Sequence, residues 1–374
     1  MRPADWKPLL VFAGIFAALV VAFKAAATLE RTVGRATGNF GYTPDPEGTR
    51  AFLRELDRPT FRQAGAEVIR GAKGKDAYLY RYADKVSRQL YGKPYGPWNQ
   101  GQIGTCVSFG WAMGSWVGQC VDYATGGLPT PPKYVATEPI YGGSRTYGRM
   151  PPVTFAGYSD GSYGAAAARW VSGQCKDKTV GGILFREPLP GVDLTTYSIP
   201  LSKEWGAKGP PLSIAKLANQ HTARAVALCE TWEGLCAALE SGMCVPVCSN
   251  IGFASGDRDA DGFLRRQSSW GHCMVAISVK YAANNGPGSA EPMKQPRDGV
   301  LIMNSWGANW TGGGKHPKDQ PDGSFWITRK DAEAILAQGD SFVIGSVNGF
   351  KYRDLDNGGW MNPAPIEATA RGDK

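Results

Sequence analysis

The chain has 374 residues, 43% of them hydrophobic and 20% charged, which supplies a sizeable core for one large domain or two ordinary ones and excludes a disordered chain. Its formal net charge is +8, but Lys and Arg are scattered, so the excess reads as a solvated surface and no specific nucleic-acid partner is expected. Eight Cys in a chain this long do not make a disulfide scaffold, and with no C-x-x-C pair a zinc ribbon or thioredoxin-type site has no support.

Residues 8–23, PLLVFAGIFAALVVAF, are uncharged and mostly apolar, with Arg2 and Lys7 before them and Lys24 after. A helix of that length spans about 24 Å, short of a roughly 30 Å hydrocarbon core. Trp6, Lys7 and Lys24 make up the difference at the two interfaces. Alternatively Ala25-Ala26-Ala27 offers a cleavage site and the run is a signal peptide. Both readings, 1–30 as signal-anchor or as signal peptide, imply export, either membrane-anchored or secreted (periplasmic). Residues 31–97 read as a polar helical spacer or pro-segment, with a helix start at Asp45-Pro46. Residues 98–350 carry the chemistry, and 351–374 form a polar Pro/Gly tail.

From Trp98 the chain reads first as helices (VSFGWAMGSWVGQCV, GAAAARWVSG). Strands with turns follow (CVPVCSNIGF, HCMVAISVKYA, GVLIMNSWG, GSFWITR). Helices first and strands later predict an α+β architecture in two lobes. The stretch 282–299 is a surface loop by composition. Cys244 and Cys248 share one face of a strand or a helix, as a core pair or as one end of a disulfide.

In NQGQIGTCVSFGWAMGSW a turn-rich loop becomes an apolar helix. Thr105 is the expected N-cap and Cys106 a first-turn residue. There the helix dipole and free N–H groups favour thiolate and should lower the thiol pKa. Gly110, Gly114 and Gly118 give the helix one smooth face for close packing. A nucleophilic thiol needs a base, and the base an orienting partner. Only His221, His272 and His316 are available. His221 and His316 sit in polar loops, whereas His272 begins an apolar strand. Asn304 ends another apolar strand, where its side-chain oxygen can hold one imidazole nitrogen while Trp306 covers the bond.

Gln100-Gly101, Gly104, Cys106, Gly271-His272 and Asn304-Ser305-Trp306-Gly307 resemble, in order and spacing, the papain-type cysteine peptidases over roughly Trp98 to Val347. The resemblance implies a two-lobed fold, with a helical lobe carrying the nucleophile and a β-barrel-like lobe carrying His and Asn. It implies Cys106 as nucleophile, His272 as general base and acid, Asn304 as its orienter, and Gln100 as oxyanion donor beside the Cys106 N–H. It also implies that Gly161 and Ser162 pair with substrate backbone, that Trp306 lines the site, that no cofactor is required, and that the partner is a peptide or protein substrate. The chain departs from the family pattern at Ile103, Val107 and Ser162, and in the inserted loop. No pro-segment signature is evident, and GNF at Gly38–Phe40 is too short to count, so a zymogen mechanism is not expected. Two rival readings remain: a catalytically silent papain-fold binding or assembly protein, and a cell-wall peptide amidase.

DRDADG places Asp257, Asp259 and Asp261 at alternate positions before Gly262, the first half of an EF-hand-type calcium loop. Position twelve is Ser268 in place of Glu, and a solvated turn is the competing reading.

Overall fold

The computed structural model describes residues 40–149, 160–223 and 225–355. The apolar run 8–23, its alternative cleavage site and most of the polar tail lie outside the described residues. Among the described residues no helix is long and apolar enough to cross a membrane.

Among the described residues the longer helices are α1 (Pro46–Leu53), α2 (Leu79–Tyr91), α3 (Cys106–Ala124), α4 (Glu138–Arg145), α5 (Gly164–Val171), α6 (Ile199–Lys208), α7 (Trp232–Glu240) and α8 (Arg329–Leu336). The main strands are β1 (Ala77–Tyr78), β2 (Val226–Leu228), β3 (Val245–Phe253), β4 (Arg266–Lys280), β5 (Gly299–Met303), β6 (Ser324–Thr328) and β7 (Phe342–Ile344). The long strand β4 is the hub of one antiparallel sheet. It pairs with β3, with β1 and with β5, and β5 pairs in turn with β6. Strands β2 and β7 form a separate antiparallel pair.

Helix α3 is apolar almost all round because it is buried on nearly every side. Its glycine stripe is the close-packing surface the sequence promises, at two of three positions. A Cβ at Gly110 would meet Cys273 Sγ at 2.9 Å, and one at Gly114 would meet Ile344 and Val275 at 3.1 and 3.2 Å. Gly118 faces open space instead. Residues of the segment read as a spacer or pro-segment pack into the same core. Phe52 of α1 and Leu79, Tyr82, Ala83 and Val86 of α2 are buried, and β1 adds to the sheet. The physical reason is an amphipathic face: those α2 residues recur at helical spacing and turn toward α3. The start of α1 is as read, with the Asp45 carboxylate accepting from Gly48 N at 2.9 Å.

Candidate active site

Cys106 opens α3 in a tight loop. Thr105 is the N-cap residue, but its hydroxyl bonds Tyr197 at 3.1 Å rather than capping the helix. The Cys106 sulfur is buried and accepts the backbone N–H of Cys273 at 3.3 Å. The residue before Cys273 is His272, on β4. Its Nε2 lies 2.7 Å from Asn304 Oδ1. Its Nδ1 is buried with no hydrogen-bond partner. Trp306 stacks on the imidazole with centroids 4.5 Å apart and planes 27° from parallel, so water is kept off the His–Asn bond.

Asn304 follows β5, and its Oδ1 also accepts Ser305 N at 2.7 Å. The chain after it pairs back onto the loop ahead of Cys106. Gln100 N donates to Ser305 O, and Gly307 N to Trp98 O, both at 2.8 Å. The Gln100 side chain is held at both ends. Its oxygen accepts Ser305 Oγ at 2.7 Å, and its nitrogen donates to Ile103 O at 2.9 Å. Ser305, which the sequence reading named only as part of a motif, thus holds the Gln100 side chain in place. Gln100, Cys106, His272, Asn304 and Trp306 thus converge on one cleft.

The cleft is filled by the chain's own residues Phe40–Thr43. Phe40 N and Tyr42 N donate to Gly271 O at 2.8 and 3.4 Å. The Phe40 carbonyl accepts Gln100 Nε2 at 3.1 Å. The Phe40 ring leans on Trp306, His272 and Trp270, with centroids at 4.4, 5.6 and 5.7 Å. Farther along, Ser162 N donates to Gly41 O and Thr43 N to Ser162 O, both at 2.9 Å, which makes Tyr42 and Ser162 a parallel bridge. Gly161 (φ +108) approaches the same strap so closely that a Cβ there would meet Thr43 Oγ1 at 2.6 Å. Ser162 does not crowd the cleft as its extra atoms suggest, because its hydroxyl turns away to Ser144 Oγ at 2.7 Å. Gly41 (φ +116) runs against the loop before Cys106, and a Cβ there would lie 2.3 Å from Gly104 C and O.

Asp340, absent from the sequence reading, ties the far end of the strap. Its carboxylate accepts Gly164 N at 2.7 Å, Ala165 N at 2.8 Å and Thr49 Oγ1 at 3.2 Å, and the Tyr42 phenol as well. Burial raises this carboxyl to about 7 despite those donors.

The expected fall in the Cys106 pKa is reversed. Burial pushes the thiol well above its ordinary value, and Cys273 adds to the push, against the opposing backbone N–H groups. Burial also lowers His272 to about 4, opposed by the Asn304 hydrogen bond. With the strap seated both groups are fully buried, and desolvation outweighs the helix dipole.

The calcium loop is corrected. Among the described residues no cluster of three His, Cys, Asp or Glu could hold a metal. The Asp261 carboxylate accepts Lys294 N at 2.7 Å and Gln295 N at 2.8 Å. The Asp259 carboxylate pairs with Arg297 and accepts Phe263 N at 3.0 Å. Asp257 lies instead on a short strand paired with residues 311–313. Beside the loop, the fully buried Lys280 Nζ donates to the Asp261 backbone O at 2.9 Å, His316 Nδ1 at 3.2 Å and His316 O at 3.4 Å. It also sits 4.3 Å from the centroid of Trp326. His316 is thereby a structural residue. His221 lies on the rim of a cavity of about 750 Å³ behind α3, lined also by Ser115, Gly118 and Phe185.

No family model matches the chain, and no curated protein matches it by sequence. Solved structures do. Xylellain, a cysteine protease from Xylella fastidiosa, is 16% identical with a TM-score of 0.51, covering 83% of this chain and 97% of its own. Procathepsin B S9 from Trypanosoma congolense is 10% identical with a TM-score of 0.48, covering 84% of this chain and 88% of its own. Digestive procathepsin L 3 of Tenebrio molitor is 13% identical with a TM-score of 0.44, covering 86% of this chain and 87% of its own. The chain has the papain-like cysteine-peptidase fold.

Proposed function

We propose that the protein is a cysteine peptidase that hydrolyses peptide bonds at Cys106 and rests in a form blocked by its own residues 40–43. One observation carries the reading. A peptide carbonyl, that of Phe40, already sits on the Gln100 amide, beside a His272 ring held by Asn304.

In the reading, a substrate displaces the strap and lays its backbone along Gly161 and Ser162. Water enters with it and relieves the desolvation that now keeps Cys106 and His272 neutral. Cys106 passes its proton to His272 Nδ1 and attacks the scissile carbonyl carbon. Negative charge gathers on the carbonyl oxygen, which takes hydrogen bonds from Gln100 Nε2 and the Cys106 N–H. His272 then protonates the departing amine, leaving a thioester on Cys106. Water, deprotonated by His272, attacks the thioester and releases the carboxylic acid and the thiol. Asn304 keeps Nε2 occupied so that Nδ1 faces the sulfur. No metal or cofactor takes part in these steps. The apolar run at 8–23 adds the proposal that this chemistry takes place outside the cytoplasm, with a membrane anchor as the finer alternative.

The test is hydrolysis of fluorescently labelled casein by the full chain, with Cys106→Ser and His272→Ala alongside. Hydrolysis abolished in both variants, at unchanged thermal stability, supports the reading. Hydrolysis that survives Cys106→Ser removes Cys106 as the nucleophile, and its absence under every condition that opens the strap turns the assignment to a silent binding protein.

A further inference from the structure

We infer that Cys248 and Cys273 are a cross-strand disulfide pair behind the Cys106 sulfur, and that their pairing keeps Cys106 free when the chain folds in oxidising surroundings. Strands β3 and β4 are antiparallel, and their register sets Cys248 directly opposite Cys273. The ladder is regular from Val245↔Ala276 to Ser249↔His272, and its irregularities begin only beyond Ser249. Residues directly opposed in such a ladder have Cα atoms about 4.5–5.5 Å apart, which falls inside the roughly 4.4–6.8 Å that a disulfide spans. Their side chains leave the same face of the sheet. Both thiols are buried, and they lie close enough to share a hydrogen bond. All eight thiols are free in this structure, so the pair is described in its reduced state.

The position gives the pair a task. Cys273 follows His272, and its N–H holds the Cys106 sulfur at 3.3 Å. A cysteine there is a sulfur partner that could capture Cys106 and silence it. Cys248 competes for Cys273 from the fixed register of the neighbouring strand, whereas Cys106 approaches from the end of α3. The apolar run at 8–23, read as an export signal, points to folding in a compartment where disulfides form.

The chemistry needs a small-molecule disulfide, for which oxidised glutathione serves. One protein thiolate attacks it, forming a mixed disulfide and expelling one glutathione thiolate. The second protein thiolate attacks the protein sulfur of that mixed disulfide, forms the Cys248–Cys273 bond and expels the other glutathione. The two protein thiol protons end on the two glutathiones, and the protein has lost two electrons to them. Burial pushes the Cys248 thiol well above its ordinary value and both sulfurs are closed off in the fold, so the step belongs to folding, before β3 and β4 close over them.

The guarding role rests on Cys106 being the nucleophile, but the bond itself does not. The full chain is refolded with oxidised and reduced glutathione, acid-quenched, unfolded, alkylated with iodoacetamide and mapped by mass without reduction. The expected map links Cys248 to Cys273 and shows Cys106 alkylated. The linked protein should melt about 5 °C above the reduced one, as closing a loop of this length predicts. In Cys248→Ser, Cys273 should instead link to Cys106, and Cys248→Ser with Cys273→Ser should return Cys106 to the alkylated fraction. The single variant Cys273→Ala should leave both Cys106 and Cys248 alkylated, which covers the case in which Cys248→Ser folds poorly. Free Cys248 and Cys273 in the oxidised wild-type chain, or Cys106 linked to Cys273 there, overturns the inference. A correct map with hydrolysis untouched by Cys106→Ser would leave the bond standing and remove the peptidase reading.

Discussion

Gly41→Ala is the sharpest probe of the closed state. The added Cβ would lie 2.3 Å from the Gly104 backbone, and the φ of +116 is one that alanine rarely adopts. Strain of that kind costs about 1–3 kcal/mol. The overlap is with backbone, so the strap must retreat. Retreat weakens the bonds of Phe40 O to Gln100 and of Gly41 O to Ser162 N, 3.1 and 2.9 Å long, at about 1 kcal/mol each. A combined loss of about 3 kcal/mol shifts the strap about 100-fold toward the open form. The assay is iodoacetamide labelling at about pH 6, where an ordinary thiol is protonated, read at Cys106 by peptide mass. Gly41→Ala should label at least ten times faster than the wild-type chain, while a thermal melt shows the core intact. A folded Gly41→Ala protein whose Cys106 labels at the wild-type rate would refute the claim that the strap gates the site.

In the opened background, Gln100→Ala should lower kcat for peptide hydrolysis by about 10²–10³-fold with little change in KM, since the amide serves a charge that develops only in the transition state. Asn304→Ala should depress the same rate and distort its pH profile, because His272 loses the bond that fixes its free nitrogen; an unaltered profile would argue against that role. Lys280 gives a stability test. Burial lowers it from 10.5 to about 7, so between those values the unfolded chain binds the extra proton. Stability from this group should therefore rise with pH by up to about 1.4 kcal/mol per unit across that window, and denaturant melts of Lys280→Met should lose that slope. Adding millimolar calcium or a chelator should leave the melting temperature unmoved, because the Asp259 and Asp261 carboxylates are committed to other partners; a calcium-dependent rise would restore the metal reading.

Whether a feature was legible in the sequence depended on how local its cause is. Cys106 stands at a loop-to-helix change, His272 on an apolar strand and Asn304 just after one, so neighbours in sequence singled out all three as candidates. Helix α3 was visible for the same reason. The strap was not, because Phe40–Thr43 bind mainly through backbone groups to Gly271 and Ser162, far away in the chain. Asp340 was hidden likewise, since Tyr42, Thr49 and Gly164 meet it only in the fold. The thiol pKa was misjudged because the helix dipole is a local cause and burial a tertiary one. The acidic loop had the right spacing for a cation, but its Asp259 and Asp261 carboxylates are taken by Arg297 and by backbone N–H groups distant in the chain.

The measurement that bears most directly on the central claim is the intact mass of the Gly41→Ala protein, quenched in acid seconds after mixing with an activated ester of a blocked amino acid. A thioester mechanism predicts a mass increment of one acyl group, mapped to Cys106, labile to hydroxylamine and absent from Gly41→Ala with Cys106→Ser. No increment, or an acyl group on any other residue, would contradict it.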